Sequence, residues 1–135
     1  MPLRVDMSIW RGNSAPPLVW ALPDDIPITG SDFFLTIGVS GSVLLSRDTA
    51  SGTLTLNSAL RQLEWDYSAA ESRLIPEGQI ARYEIERHAG SVEITEIYGP
   101  LTGLGGLNPD ASPGMPAELD FSNPDNSGQQ MMGWA

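Results

Sequence analysis

Apolar and charged positions alternate through residues 80–98 in two runs. The first is Ile80-Ala81-Arg82-Tyr83-Glu84-Ile85-Glu86-Arg87 and the second is Val92-Glu93-Ile94-Thr95-Glu96-Ile97-Tyr98. Side chains on a strand point to opposite faces with period two, so the runs predict an antiparallel hairpin with one buried face. The turn expected between them is His88-Ala89-Gly90-Ser91. The same pattern recurs upstream. Leu3, Val5, Met7 and Ile9 alternate with polar positions and Trp10, which predicts a first half-buried strand over 3–10. Leu18–Leu22 reads as a short apolar strand, and Phe33, Leu35, Ile37 and Val39 as the buried face of another. Further strands are expected at Ser42–Ser46, Thr53–Leu56 and Leu63–Tyr67.

Between these runs lie turn-forming stretches: Arg11–Pro17, Pro23–Gly30, Asp48–Gly52 and Pro76–Gly78. One helical turn interrupts the series. Ser68-Ala69-Ala70-Glu71 has capping-box spacing, in which the serine oxygen and the glutamate carboxylate each accept from the other's backbone N–H. Short strands separated by turns every 8–12 residues or so predict an all-β protein, an Ig-like antiparallel β-sandwich of about seven to eight strands.

The pattern stops near residue 108. Residues 1–107 read as the sandwich domain and 108–135 as an extended C-terminal arm, rich in Pro, Gly, Asn and Ser, with four carboxylates and no arginine. Such a composition resists forming a core of its own. It nevertheless spaces Met115, Leu119, Phe121, Met131, Met132 and Trp134 along its length. A loose terminal tail is the plainer reading. An arm whose apolar anchors dock on a neighbour is the sharper one, favoured by the cost of leaving Met-Met-Gly-Trp-Ala in water.

Charge narrows the partners. Seven arginines, no lysine and 17 carboxylates give a net charge of -10. Neither nucleic acid nor an anionic membrane surface is therefore expected as a partner. Cysteine is absent, which excludes disulfides, thiolate nucleophiles and thiolate-bound zinc. No secretory signal is visible at the N-terminus and no apolar run approaches the ~20 residues of a membrane-spanning helix. Synthesis in a cytoplasm is the expectation.

Candidate chemistry is sparse. His88 is the only histidine and falls in the expected turn, without the base–nucleophile context that catalysis needs. Glu84, Glu86, Glu93 and Glu96 cluster on the closing hairpin. The pattern fits a solvated face partnered by Arg82 and Arg87, and a calcium site near Glu84, Glu86 and Glu93 is the alternative. Gly103-Leu104-Gly105-Gly106 opens no helix, so it is not a phosphate cradle. No enzymatic activity and no cofactor are expected. Trp65 reads as core. Trp10 lies opposite the apolar face of its strand and joins the arm residues as a protein-contact candidate. Trp10 with Trp20 is the only aromatic pair available to a carbohydrate-binding module.

The order of these pieces resembles small β-sandwich proteins of tailed-bacteriophage virions, in particular the N-terminal domain of the siphophage baseplate upper protein. The resemblance covers about residues 5–104. It rests on the turn Trp10-Arg11-Gly12-Asn13-Ser14, the turn Ile26-Pro27-Ile28-Thr29-Gly30 and the strand pair within Val43–Leu56. It continues in Leu74-Ile75-Pro76-Glu77-Gly78 with Ala81-Arg82-Tyr83-Glu84-Ile85, and in a final strand ending Ile97-Tyr98-Gly99-Pro100-Leu101-Thr102. The resemblance implies a structural protein of the tail, baseplate or neck, located in the virion and assembling with other virion proteins and with copies of itself. It carries over no catalytic or binding residue. A capsid decoration protein is the alternative role.

Overall fold

The computed structural model describes residues 2–105, and they form two β-sheets with one short helix. In chain order the elements are β1 (Leu3–Arg4), β2 (Met7–Trp10), β3 (Leu18–Ala21), β4 (Asp32–Val39), β5 (Ser42–Asp48), β6 (Thr55–Asn57) and β7 (Gln62–Trp65). The helix α1 (Ala69–Arg73) precedes β8 (Gly78–Ala89) and β9 (Val92–Leu104). The larger sheet runs β1-β9-β8-β4-β5, with β2 also pairing β9, and the smaller runs β3-β7-β6. The all-β sandwich read from the alternation is what the chain forms.

The core lies between the sheets. Phe33, Leu35 and Ile37 from β4, Tyr83 and Ile85 from β8, and Ile97 and Leu101 from β9 meet Trp20, Leu63 and Trp65 from the smaller sheet. The Trp20 and Tyr83 rings cross the interface at 5.4 Å between centroids. Alternate residues on these strands are inward and buried, which is the period-two rule made three-dimensional.

The first predicted strand is corrected in two respects. It is divided into β1 and β2 by Val5-Asp6, and both halves run parallel to β9 rather than antiparallel to a neighbour. The reason is the packing at Val5. Its carbonyl accepts from the Tyr83 hydroxyl at 2.5 Å and overlies Gly99, where an added Cβ would stand 2.2 Å from that oxygen. Only glycine admits so close an approach. Burial pushes the Tyr83 hydroxyl pKa up, and Asp6 adds to the effect, so the donor stays protonated. Of the expected buried face, Ile9 alone is fully enclosed, whereas Leu3 is exposed.

Turn chemistry follows the glycines. Ser40 and Gly41 both take positive φ between β4 and β5, the signature of a type I′ hairpin turn. Between β8 and β9 the turn is Gly90-Ser91 alone. His88 and Ala89, expected in that turn, belong to β8, where His88 pairs with Glu93 and also with Asp32.

The capping box at Ser68 and Glu71 is present. Glu71 N–H donates to Ser68 Oγ at 3.1 Å and Ser68 N–H to Glu71 Oε1 at 2.8 Å. Arg47 of β5 also donates from Nε to Glu71 Oε2 at 2.8 Å, tying α1 to the edge of the larger sheet. Burial alone would raise the Glu71 pKa, but the Ser68 N–H and the Arg47 guanidinium outweigh it and hold the carboxyl below its ordinary value. A lowered folded pKa means that the stabilisation is complete above the unfolded carboxylate value, about 4.3. It drains away as pH falls through the folded value. Glu71→Gln is therefore expected to flatten the acid limb of a urea-denaturation pH profile below about pH 4.5 while changing little at pH 2. An unchanged acid limb refutes the assignment.

The Arg11-Gly12-Asn13 turn docks on this helix. Ser72 is buried, accepts from Gly12 N–H at 2.9 Å and donates to the Asn13 carbonyl at 2.8 Å. Arg11 Nε donates to the Ile75 carbonyl at 2.8 Å. The turn's local hydrogen bonds therefore serve the fold.

Candidate functional site

A strand edge offers unpaired N–H and C=O groups to another chain, so proteins guard their edges. Among the described residues the two sheets have four edges, and β9 is also open at 92–96, where it carries Glu93 and Glu96. The β1–β2 edge is cut into pieces of two and four residues and carries the exposed Arg4–Asp6 ion pair, 3.1 Å. The β3 edge is four residues between Pro17 and Pro23, and the β6 edge is three residues. The β5 edge runs seven residues and its first half carries no charge. There Val43 is 62% exposed and Leu44 36%. A bulge opposite Ile37 and Gly38 bends this end of the edge. Beside it a groove of about 310 Å³ opens, lined by Thr36, Gly38, Ser42, Val43, Arg82 and Glu84 among others.

Trp10 ends β2 at 56% exposure, in register with Leu104. Its ring flanks the backbone of Gly105, where an added Cβ would meet it at 3.5 Å. The contact candidate is therefore at the surface. The other six, Met115, Leu119, Phe121, Met131, Met132 and Trp134, lie outside the described residues, as does the 108–135 arm. Trp20 is buried in the core, so Trp10 and Trp20 make no aromatic platform for a sugar.

The glutamates of the closing hairpin separate into two groups. Between the pairs Ile85↔Ile97 and Glu86↔Thr95, β9 carries one extra residue, Glu96. A bulge of this kind re-aims one side chain and reverses the facing of those beyond it. Glu96 turns to Arg87, whose Nε donates to Glu96 Oε2 at 2.7 Å, both side chains being largely enclosed. Arg87 is thus an inward cross-strand partner, as the spacing suggested for it, with the carboxylate on the buried side.

The two-residue turn Gly90-Ser91 sets Glu93 directly across from His88, on the outer face. Glu86 lies two residues from His88 on that face, and its Oε1 is 2.7 Å from His88 Nε2. One ligand atom from each of Glu86, His88 and Glu93 lies within 4.8 Å of the others. The His88 ring also stacks on Phe34, with centroids 4.2 Å apart. Glu84, expected with them, is instead paired between Thr36 and Tyr98 and lies outside the group. The signal that marks His88 as a member is Gly90-Ser91 taken as a two-residue turn, which carries β8 to Ala89 and sets His88 two residues from Glu86 and opposite Glu93.

No protein-family model, curated protein or solved structure matches this chain. No helix among the described residues is long and apolar enough to cross a membrane.

Proposed function

We propose that this chain is a non-enzymatic structural component of a bacteriophage virion, in the tail, baseplate or neck, acting through protein–protein assembly. The phage assignment rests on the resemblance carried by the turns at 10–14, 26–30 and 74–78. The mode of assembly rests on one observation: the seven-residue β5 edge has an uncharged first half that bears exposed Val43 and Leu44. A second copy of the chain adding a strand there would satisfy the free backbone groups and cover both side chains. Symmetric repetition multiplies such modest contacts. The strand orders β3-β7-β6 and β9-β8-β4-β5 parallel the B-E-D and G-F-C-C′ orders of variable-type immunoglobulin sandwiches, which supports an Ig-like reading of the fold.

The test replaces Val43 and Leu44 with lysine together. Both are surface positions, so the melting midpoint should change by no more than the roughly 0.5 kcal/mol typical of such sites. Incorporation into particles, in a genome lacking its own copy of the gene and complemented by the variant, should fall at least tenfold by quantitative mass spectrometry. Wild-type incorporation of the lysine variant refutes the β5 contact. Absence of the wild-type chain from purified particles refutes the virion reading itself. Deleting residues 108–135 in parallel assigns any remaining incorporation to the arm.

A further inference from the structure

We propose that Glu86, His88 and Glu93 form a binding site for a divalent first-row transition ion, with zinc as the representative probe. The inference is independent of the assembly reading and starts from the donor set. An imidazole and two carboxylates are the ligands that zinc and its neighbours accept, whereas calcium and magnesium take all-oxygen shells. The imidazole distinguishes this group from an ordinary solvated acidic face. Calcium, the ion that carboxylates alone would suggest here, is the wrong partner for it.

Geometry supports the assignment. Tetrahedral ligands about 2.1 Å from zinc stand about 3.4 Å from one another. The three donor atoms already lie within 4.8 Å of each other without an ion. Closing the difference takes a rotation of Glu93, which is exposed and free to turn. The other two donors need little reorganisation. Glu86 and His88 sit at i and i+2 of one long strand, and the His88 ring is held against Phe34. Glu86 Oε1 and His88 Nε2 are already 2.7 Å apart, and the ion would replace the hydrogen bond between them. A water would complete the fourth position. The net charge of -10 raises the local cation concentration.

The location gives the site a structural role. His88 is the last residue but one of β8 and Glu93 the second of β9, so a bound ion clips the two strands together beside the hairpin turn. An ion that binds only the folded hairpin stabilises it by mass action.

The full chain is titrated with zinc chloride by isothermal calorimetry in a non-chelating buffer. One equivalent should bind and the thermal midpoint should rise. His88 is the sole histidine, so its imidazole ¹⁵N resonances report the ligand directly, and they should shift with zinc and not with calcium. His88→Ala and Glu93→Gln should each weaken binding at least tenfold, while Glu84→Gln should leave it within twofold. Glu93→Gln preserves the Phe34–His88 stack, so it stays informative if His88→Ala disturbs the fold. Retained affinity in Glu93→Gln, unshifted imidazole resonances at saturating zinc, or an equal response to calcium overturns the proposal.

Discussion

Trp65→Ala is expected to lose about 3–5 kcal/mol of stability, the range for emptying a buried large aromatic site. Trp65 is fully enclosed in β7, in the sheet face that meets the larger sheet, and its ring lies 5.3 Å from that of Tyr67. Domains of this size are stable by only about 5–15 kcal/mol, so the variant should stand close to unfolding at 37 °C. Trp65→Phe should be much milder. The indole N–H has no hydrogen-bond partner among the described residues, so losing it removes no native bond. Urea denaturation followed by far-ultraviolet circular dichroism measures both. A loss below about 1 kcal/mol for Trp65→Ala contradicts its central place in the core.

Arg87→Ala is expected to cost about 3–5 kcal/mol as well, for a different reason. Arg87 is 8% exposed, yet it carries a full charge against Glu96. Removing the guanidinium leaves the Glu96 carboxylate enclosed with its ion-pair partner gone, and desolvation is then uncompensated. Replacing both residues with leucine should recover most of the loss, because two apolar side chains need no partner. The cycle of Arg87→Leu, Glu96→Leu and the double variant should therefore show a coupling of roughly 2 kcal/mol or more. Additive losses within about 0.5 kcal/mol would contradict the pairing.

These two positions show what was legible in advance. Trp65 was readable as core because it alternates with Glu64 and Asp66, and the strand kept that period. The capping box was readable because it depends on residues three apart in one chain segment. Arg87 was readable as a cross-strand partner, although its facing was not. β8 alternates from Ala81 to His88, but β9 inserts Glu96 and changes which side its neighbours face. The tight Gly90-Ser91 turn, shorter than the four residues expected, placed His88 in the strand and Glu93 opposite it.

The N-terminal strand illustrates the second kind of failure. Leu3, Val5, Met7 and Ile9 obey period two, but Val5 rides over Gly99 and bonds Tyr83, both more than seventy residues away. Local alternation is silent about a contact at that separation. The close approach coincides with the break between the two halves, both of which pair in parallel with β9.

By itself the sequence determined that this chain is all-β, where most of its strands and turns lie, and that its charge is acidic. Each of these depends on near neighbours, where hydrophobic period and turn stereochemistry act directly. Only the tertiary structure decided which edge stays open, which way Glu96 and Glu93 face, and that His88 joins Glu86 and Glu93. Those outcomes depend on strand order, on the length of the 90–91 turn and on one extra residue in the β8–β9 register, none of which hydrophobic period alone encodes.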